Sequence, residues 1–316
     1  LTFLATVIGE TRQIRFGTGV LNLPQTHPAT VAAQVAMFDQ LCDGRFIMGV
    51  GPGGLVSDME LFPAPAPDAR SAMAQEAVEI ILKLWSNPPP YDIRGKYWTI
   101  SLKDNLWPAF KVGWIPRPLQ QPHPPVALSL VTPNSASAVI AGERGWIPLS
   151  GNFFNRRFLR GHWEKYAEGC AKAGRPANPA IWRVARCVLV TGSDGEAEDY
   201  LADPTNSLDF YYRFFRHSFG HGPRGLGLLK PDLGQADDTV TVDAIKRAQV
   251  IAGSPRRVLE QLVGLREEIG PFGTLLVTGH DWDRPALWQN SMRLLAEKVM
   301  PEFGRHADAT LVAGGR

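Results

Sequence analysis

Residues 14–54, IRFGTGVLNLPQTHPATVAAQVAMFDQLCDGRFIMGVGPGG, restrict the fold more than any other stretch of this chain. The run 14–20 is apolar and rich in glycine at its end, the pattern of a short buried strand. Asn22-Leu23-Pro24 breaks it, and Thr26 followed by His27-Pro28 predicts a helix start, with Thr26 as the capping oxygen and Pro28 in the first turn. Val31, Val35, Phe38 and Leu41 then recur at helical spacing until Asp43-Gly44. A second apolar run, 45–50, leads into Gly51-Pro52-Gly53-Gly54. Strand, helix, strand in this order is a right-handed βαβ unit of a parallel sheet. Both strands end in glycine turns at their C-terminal ends, where α/β folds keep their ligands.

The rest of the chain repeats the theme. Strands are expected at 126–131, 146–149, 181–190 and 273–278, and helices at 68–85, 155–172, 196–201, 254–268 and 287–299. Prolines mark 55–67 as a loop, and the strand-like pieces around Tyr97-Trp98-Thr99-Ile100 suggest a hairpin outside the main sheet. The stretch 210–238 reads as irregular, and 205–250 as a lid-like insertion carrying His217 and His221. Six strands each followed by a helix fit two architectures: a closed (β/α)8 barrel seen without its first two strands, or an open doubly wound sheet.

Net charge is +2, with no dense basic cluster, which argues against a nucleic-acid surface. No apolar run approaches the roughly 20 residues of a membrane span. The three cysteines, Cys42, Cys170 and Cys187, have no motif spacing and suit a reduced, cytoplasmic protein. Residues 1–13 look like the last turns of a helix that began earlier, and the chain opens on Leu; part of the protein is expected upstream.

Several residues carry candidate chemistry. The turn from Gly49 to Gly54 fails as a dinucleotide fingerprint, because Pro52 interrupts it and no helix follows at once. Thr132, Asn134, Ser135 and Ser137 sit between a strand and a helix, where they serve equally as an anion site or as plain caps. His27 and His221 are weak catalytic candidates, and His162 reads as a surface or packing residue. His280-Asp281-Trp282-Asp283 follows the last strand, with Asp281 or Asp283 as a cap for the next helix. No HExxH, CxxC, GxSxG or Walker pattern is present, so neither a metal site nor an activated nucleophile is expected.

Read together, RFGTGVLNLPxxHP (15–28), FDQLxDGRFxxGVGPG (38–53), VIAGSP (250–255), LREEIGPFGTLLVTGHDW (265–282) and VMP (299–301) closely resemble the bacterial-luciferase-like flavin monooxygenases, in the limonene monooxygenase and alkanal monooxygenase α-chain-like branch. The resemblance spans 1–303 and implies a (β/α) barrel. It implies a single such domain over 1–316, lacking its first two strands, that uses reduced FMN and O2 to oxygenate a small hydrophobic terpene, aldehyde or ketone. A separate flavin reductase would supply the FMN, and a homodimer or heterodimer is the implied assembly. Related branches use a deazaflavin for hydride transfer, and a truncated flavin-binding protein without catalysis is a further alternative. By resemblance, Gly19 and Val20 back the flavin ring, Asn22 faces its polar edge, Gly51, Pro52 and Gly53 lie beside it, and Asn134, Ser135 and Ser137 form the phosphate turn. Two departures stand out. Pro52 replaces an arginine that helps hold the phosphate in luciferases proper, and the family's catalytic histidine belongs upstream of Leu1. Asp39 and Arg45, also in the signature, are expected to form a structural ion pair on the stability face of the barrel.

Overall fold

The computed structural model describes residues 1–66, 69–222 and 225–313, and its contacts cluster into two compact units, 1–129 and 130–316. In the first unit the elements are α1 (Thr2–Thr6), β1 (Phe16–Gly17), β2 (Leu21–Asn22), α2 (Pro28–Leu41), β3 (Phe46–Gly51), α3 (Val56–Leu61), α4 (Ala69–Ser86), β4 (Tyr91–Arg94), β5 (Thr99–Leu102) and β6 (Val126–Leu130). β3 is the spine. It pairs in parallel with β1, β2 and β6, while β4 and β5 form the separate antiparallel hairpin that the sequence suggests. Val31, Val35 and Phe38 of α2 and Ala77, Ile80, Ile81 and Leu84 of α4 are buried, as is alternate Phe46-Met48-Val50 of β3. Leu41 is exposed, since the helical stripe ends one turn before the helix does. Residues 56–61, expected as loop, form α3; Asp68, the expected start of the next helix, lies outside the described residues.

Two local expectations are corrected. His27, not Thr26, caps α2: its Nδ1 accepts from the Ala29 N–H at 3.3 Å. Nor do Asp39 and Arg45 pair. Asp39 is fully buried and accepts from Gln120 twice, from the backbone N–H at 2.8 Å and from Nε2 at 2.7 Å. Arg45 instead donates to the carbonyls of Cys42 and Ile14 and lies over the Phe16 ring. A buried carboxylate takes the donors that reach it with good geometry, and here a distant loop supplies them.

The second unit runs α5 (Ala136–Arg144), β7 (Ile147–Ser150), α6 (Leu159–Lys172), β8 (Arg183–Arg186), β9 (Val188–Val190), α7 (Asp194–Ala202), α8 (Ser207–Gly220), α9 (Val242–Gln249), β10 (Ile251–Gly253), α10 (Pro255–Ile269), β11 (Thr274–Val277), α11 (Pro285–Leu294) and α12 (Met300–Ala313). β8 pairs in parallel with both β7 and β11. The strand expected at 181–190 divides at Cys187, and β9 pairs instead with β10, a strand too short to be visible in the sequence. Even positions Val184, Val188 and Val190 pack with Val258, Leu262 and Leu265 of α10; odd positions Cys187 and Leu189 pack with Tyr200, Leu208, Tyr212 and Ile245. This period-2 division buries both faces, as a covered parallel sheet requires.

Of the stretch expected to be irregular, 210–220 is helical, being the body of α8, while 221–222 and 225–236 hold only turns and bends, as expected. Asn206 caps α8 by accepting from the Asp209 N–H at 2.7 Å, and Tyr211, Phe215 and Phe219 repeat at four-residue spacing along it. Pro223 and Arg224 of the same segment lie outside the described residues.

Candidate functional site

The residues singled out for a cofactor fall into two groups, one in each unit. In the first, β1 and β2 both run beside β3, with Gly17 opposite Ile47 and Leu21 opposite Val50. Four residue steps on one side therefore face three on the other, a bulge that displaces residues 18–20 from the ladder. Thr18 stitches the gap: its Oγ1 accepts from the Gly49 N–H at 3.0 Å and donates to the Gly49 carbonyl at 2.8 Å. The Gly19-Val20 peptide at the bulge is cis. A Cβ at Gly19 would meet nothing within 4 Å, so bare backbone faces open space there. Gly51 is a contrast. A Cβ on it would lie 2.9 Å from Val20 Cγ2 and 3.0 Å from Ser129 Oγ, so its lack of a side chain is required by this unit's own packing.

Gly53, at φ +75°, brings its backbone against Asn22, with a built Cβ 3.3 Å from Asn22 Cγ. Arg70 of α4 completes this corner and was not legible in the sequence. It is buried, donates from Nε to the Pro52 carbonyl at 3.1 Å and from Nη1 to the Phe62 carbonyl at 2.9 Å, and leaves Nη2 without a partner. Pro52 itself cannot hold an anion, but a guanidinium reaches its carbonyl from another element.

In the second unit, Asn134 takes a left-handed conformation, φ 51°, and Ser135 stands at the N-cap of α5. The buried Ser135 hydroxyl makes no capping bond, and no acidic residue sits in the first turn, so the N–H groups opening α5 are not claimed by the cap. Behind this turn lies a directed hydrogen-bond chain. Trp182 Nε1 donates to Ser150 Oγ at 2.9 Å, Ser150 Oγ stands 2.9 Å from His162 Nδ1, and His162 Nε2 stands 2.9 Å from the Thr132 carbonyl. A carbonyl only accepts, so Nε2 carries the proton and Nδ1 accepts from the serine. His162 is thus a fully buried support for the 132–137 turn, packed edge-on against Phe154: of the two readings, surface or packing, the surface one is corrected and the packing one holds, with a hydrogen-bonding role added. Burial pushes its pKa down to about 4, keeping it neutral.

A second polar cluster gathers where β7, β8 and β11 end. Cys187 Sγ lies 3.2 Å from His280 Nε2 and accepts from Asn152 Nδ2 at 3.4 Å and Tyr212 Oη at 3.5 Å. Tyr211 donates to Asn152 Oδ1 at 2.8 Å, and its ring meets the His280 ring edge-on at 4.4 Å. Burial raises the Cys187 thiol and lowers His280, so both are uncharged. With two donors already on the sulfur, the thiol proton is the one left for Nε2, which assigns the ring proton of the half-buried His280 to Nδ1. Phe153 and Phe215, stacked at 4.7 Å, extend Tyr211 into an aromatic wall. Asn152 and His280 follow strands directly, the signal that could have found them; Cys187 reads in sequence as a small core residue.

The two weak catalytic candidates have local roles. His27 caps α2, and exposed His221 ends α8 with Nδ1 2.8 Å from the His217 carbonyl. Asp283 does not cap α11, whose N-cap is Arg284; it accepts from Trp288 Nε1 at 2.9 Å, the Ser207 N–H at 2.9 Å and Tyr200 Oη at 3.0 Å.

Residues 1–271 match the family described as luciferase-like monooxygenase. The chain belongs to the luciferase-like monooxygenase family. The 4-hydroxyprotoasukamycin monooxygenase of Streptomyces nodosus subsp. asukaensis is 31% identical over 99% of this chain and 80% of its own length. Limonene 1,2-monooxygenase of Rhodococcus erythropolis is 26% identical, covering 95% and 72%. Among solved structures, the oxygenating constituent of 3,6-diketocamphane monooxygenase from Pseudomonas putida, a type II Baeyer-Villiger monooxygenase in complex with FMN, aligns with TM-score 0.82 at 26% identity over 95% of this chain and 82% of that one. This luciferase-like monooxygenase accordingly has the barrel-type α/β fold of its family, and the open doubly wound alternative is set aside. No helix among the described residues is long and apolar enough to cross a membrane.

Proposed function

We propose that this chain is an FMN-dependent monooxygenase acting on a small hydrophobic substrate of the terpene, ketone or aldehyde kind, with reduced flavin delivered by a separate reductase. The observation that carries the proposal is the backbone ledge at Gly19, bordered by Val20 and Asn22 and open to a flat ligand. The unclaimed α5 N-terminus at Asn134, Ser135 and Ser137 suits the phosphate, and Arg70, which holds the Pro52-Gly53 corner, keeps one buried donor in reserve. Bound reduced FMN supplies the two electrons with which one oxygen atom of O2 enters the substrate and the other leaves as water. The protein's part is to place and dry the reactants. The aromatic wall of Phe153, Tyr211 and Phe215 gives an apolar surface, and the His280 N–H is the group suited to a substrate carbonyl. FMN is favoured over a deazaflavin by the FMN in the P. putida structure and by the names of the relatives at 26–31% identity.

The test is isotopic. With chemically reduced FMN and 18O2, product carrying one 18O is expected from at least one member of a panel of bicyclic ketones, monoterpenes and aldehydes. Flavin oxidation with no labelled product across the whole panel would sink the reading. Parallel fluorescence titrations with FMN and a deazaflavin decide the cofactor.

A further inference from the structure

Helix α3 and its C-terminal neighbour bury no side chain, yet Leu55, Val56, Met59, Leu61 and Phe62 are all large, apolar and exposed. At six residues the helix spans less than two turns, too short to hold itself together in water. Polar ties hold it. Arg70, buried in α4, takes both ends of the segment: Nε donates to the Pro52 carbonyl at 3.1 Å ahead of the helix, and Nη1 to the Phe62 carbonyl at 2.9 Å behind it. Between them, Gln25 Nε2 donates to Asp58 Oδ2 at 2.8 Å. Its position follows. The backbone of Gly51 lies against Val20 and that of Gly53 against Asn22, the two residues that border the Gly19 ledge. Leu55 is two residues past Gly53, within about 7 Å of chain, so the segment starts at the edge of that ledge.

The five side chains are not equivalent. Leu55, Met59 and Phe62, spaced four and three residues apart along one side, are 51%, 44% and 43% exposed, whereas Val56 and Leu61 are 72% and 71% exposed. The half-covered row is the side turned to the body of the unit. The area it leaves open is apolar surface that a ligand on the ledge can remove from water. Three side chains present far less than the roughly 800 Å2 that each partner of a stable protein interface buries, but enough for one flank of a small molecule. Resting on the flavin reading of the ledge, we propose that Leu55, Met59 and Phe62 form the wall against which the hydrophobic substrate packs. With no polar group in the row, selection there is by shape and not by hydrogen bonding. Arg70 and the Gln25–Asp58 bond are positioning elements, holding the row in place from behind.

FMN affinity is read first, by flavin fluorescence. The FMN-loaded full chain is then titrated with norcamphor, a bicyclic ketone, and with heptanal, following the flavin absorption spectrum. A saturable change is expected with at least one of them. Leu55→Gln and Met59→Gln, both at half-exposed positions, should weaken that binding by about fivefold or more and leave FMN affinity as in wild type. Leu61→Gln, off the row, should change neither. Met59→Ala should alter the ratio of the two probe affinities by about threefold or more, as a wall that reads shape requires. A chain that takes up no FMN overturns the ledge and the wall together. With FMN bound normally, four results overturn the wall alone: no response to either probe, wild-type probe binding by Leu55→Gln and Met59→Gln, an equal loss in Leu61→Gln, or a fall in FMN affinity in Met59→Gln as large as its fall in probe affinity. If Met59→Gln splits a dimer in sedimentation and binds the probes as wild type, the row belongs to a second copy and the proposal fails.

Discussion

At the residue scale, Gly19 in the bulge between β1 and β2 and Gly51 at the end of β3 are glycines for opposite reasons, and substitution separates them. Gly51→Ala forces a methyl against Val20 and Ser129, and should destabilise the chain by about 1–3 kcal/mol in urea titration. Gly19→Ala meets no protein atom; its midpoint should move little, while FMN affinity falls at least tenfold. Unchanged FMN affinity in Gly19→Ala would remove the ledge from the site. His162 carries a pH dependence of defined sign. Unfolded, it takes its proton near 6.5; folded, burial delays this to about 4. Between those values the unfolded chain binds the extra proton, so the contribution is intact above the upper value and declines by about 3 kcal/mol as pH falls through the window. His162→Gln should flatten that slope in unfolding free energies measured at several pH values. A slope identical to wild type would mean another group is responsible. Sequence exposes residues such as Gly19 and Asn134 because they directly follow strands. It hides Arg70 and Cys187, whose partners are assembled from distant segments.

At the scale of elements, the βαβ unit was legible because strand and helix periodicities alternate cleanly around glycine and proline. The α8 helix was not. Its sequence, SLDFYYRFFRHSFG, mixes aromatics that favour strands with a run of glycines just beyond it, and the Asn206 cap becomes decisive only once Tyr211 and Tyr212 have surfaces to pack on. The pairing of Asp39 was likewise invisible, because Gln120 lies 81 positions away. Asp39→Ala removes a fully buried carboxylate and leaves the half-buried Gln120 N–H without its acceptor, and should cost about 2–4 kcal/mol. In a double-mutant cycle with Arg45→Met, the two changes should add, since the side chains share no bond. A coupling above about 1 kcal/mol would restore the ion pair that the signature suggested.

For the molecule as a whole, composition and charge bounded the class of protein, and the family signature fixed the barrel where alternation alone left two architectures open. Ligand linkage tests the proposed cofactor globally. FMN at a hundredfold excess over its dissociation constant should raise the unfolding free energy by about 2.7 kcal/mol, and no rise at any attainable concentration would exclude it as a ligand of the folded chain. The hydrogen-bond chain from Trp182 through Ser150 and His162 to Thr132 has a spectroscopic consequence. Because each member both holds and polarises the next, filling the turn at one end should be felt by the indole N–H at the other. The chain thus contains a built-in reporter: a single amide-region resonance from Trp182, read without labelling the ligand, that signals whether the turn is loaded.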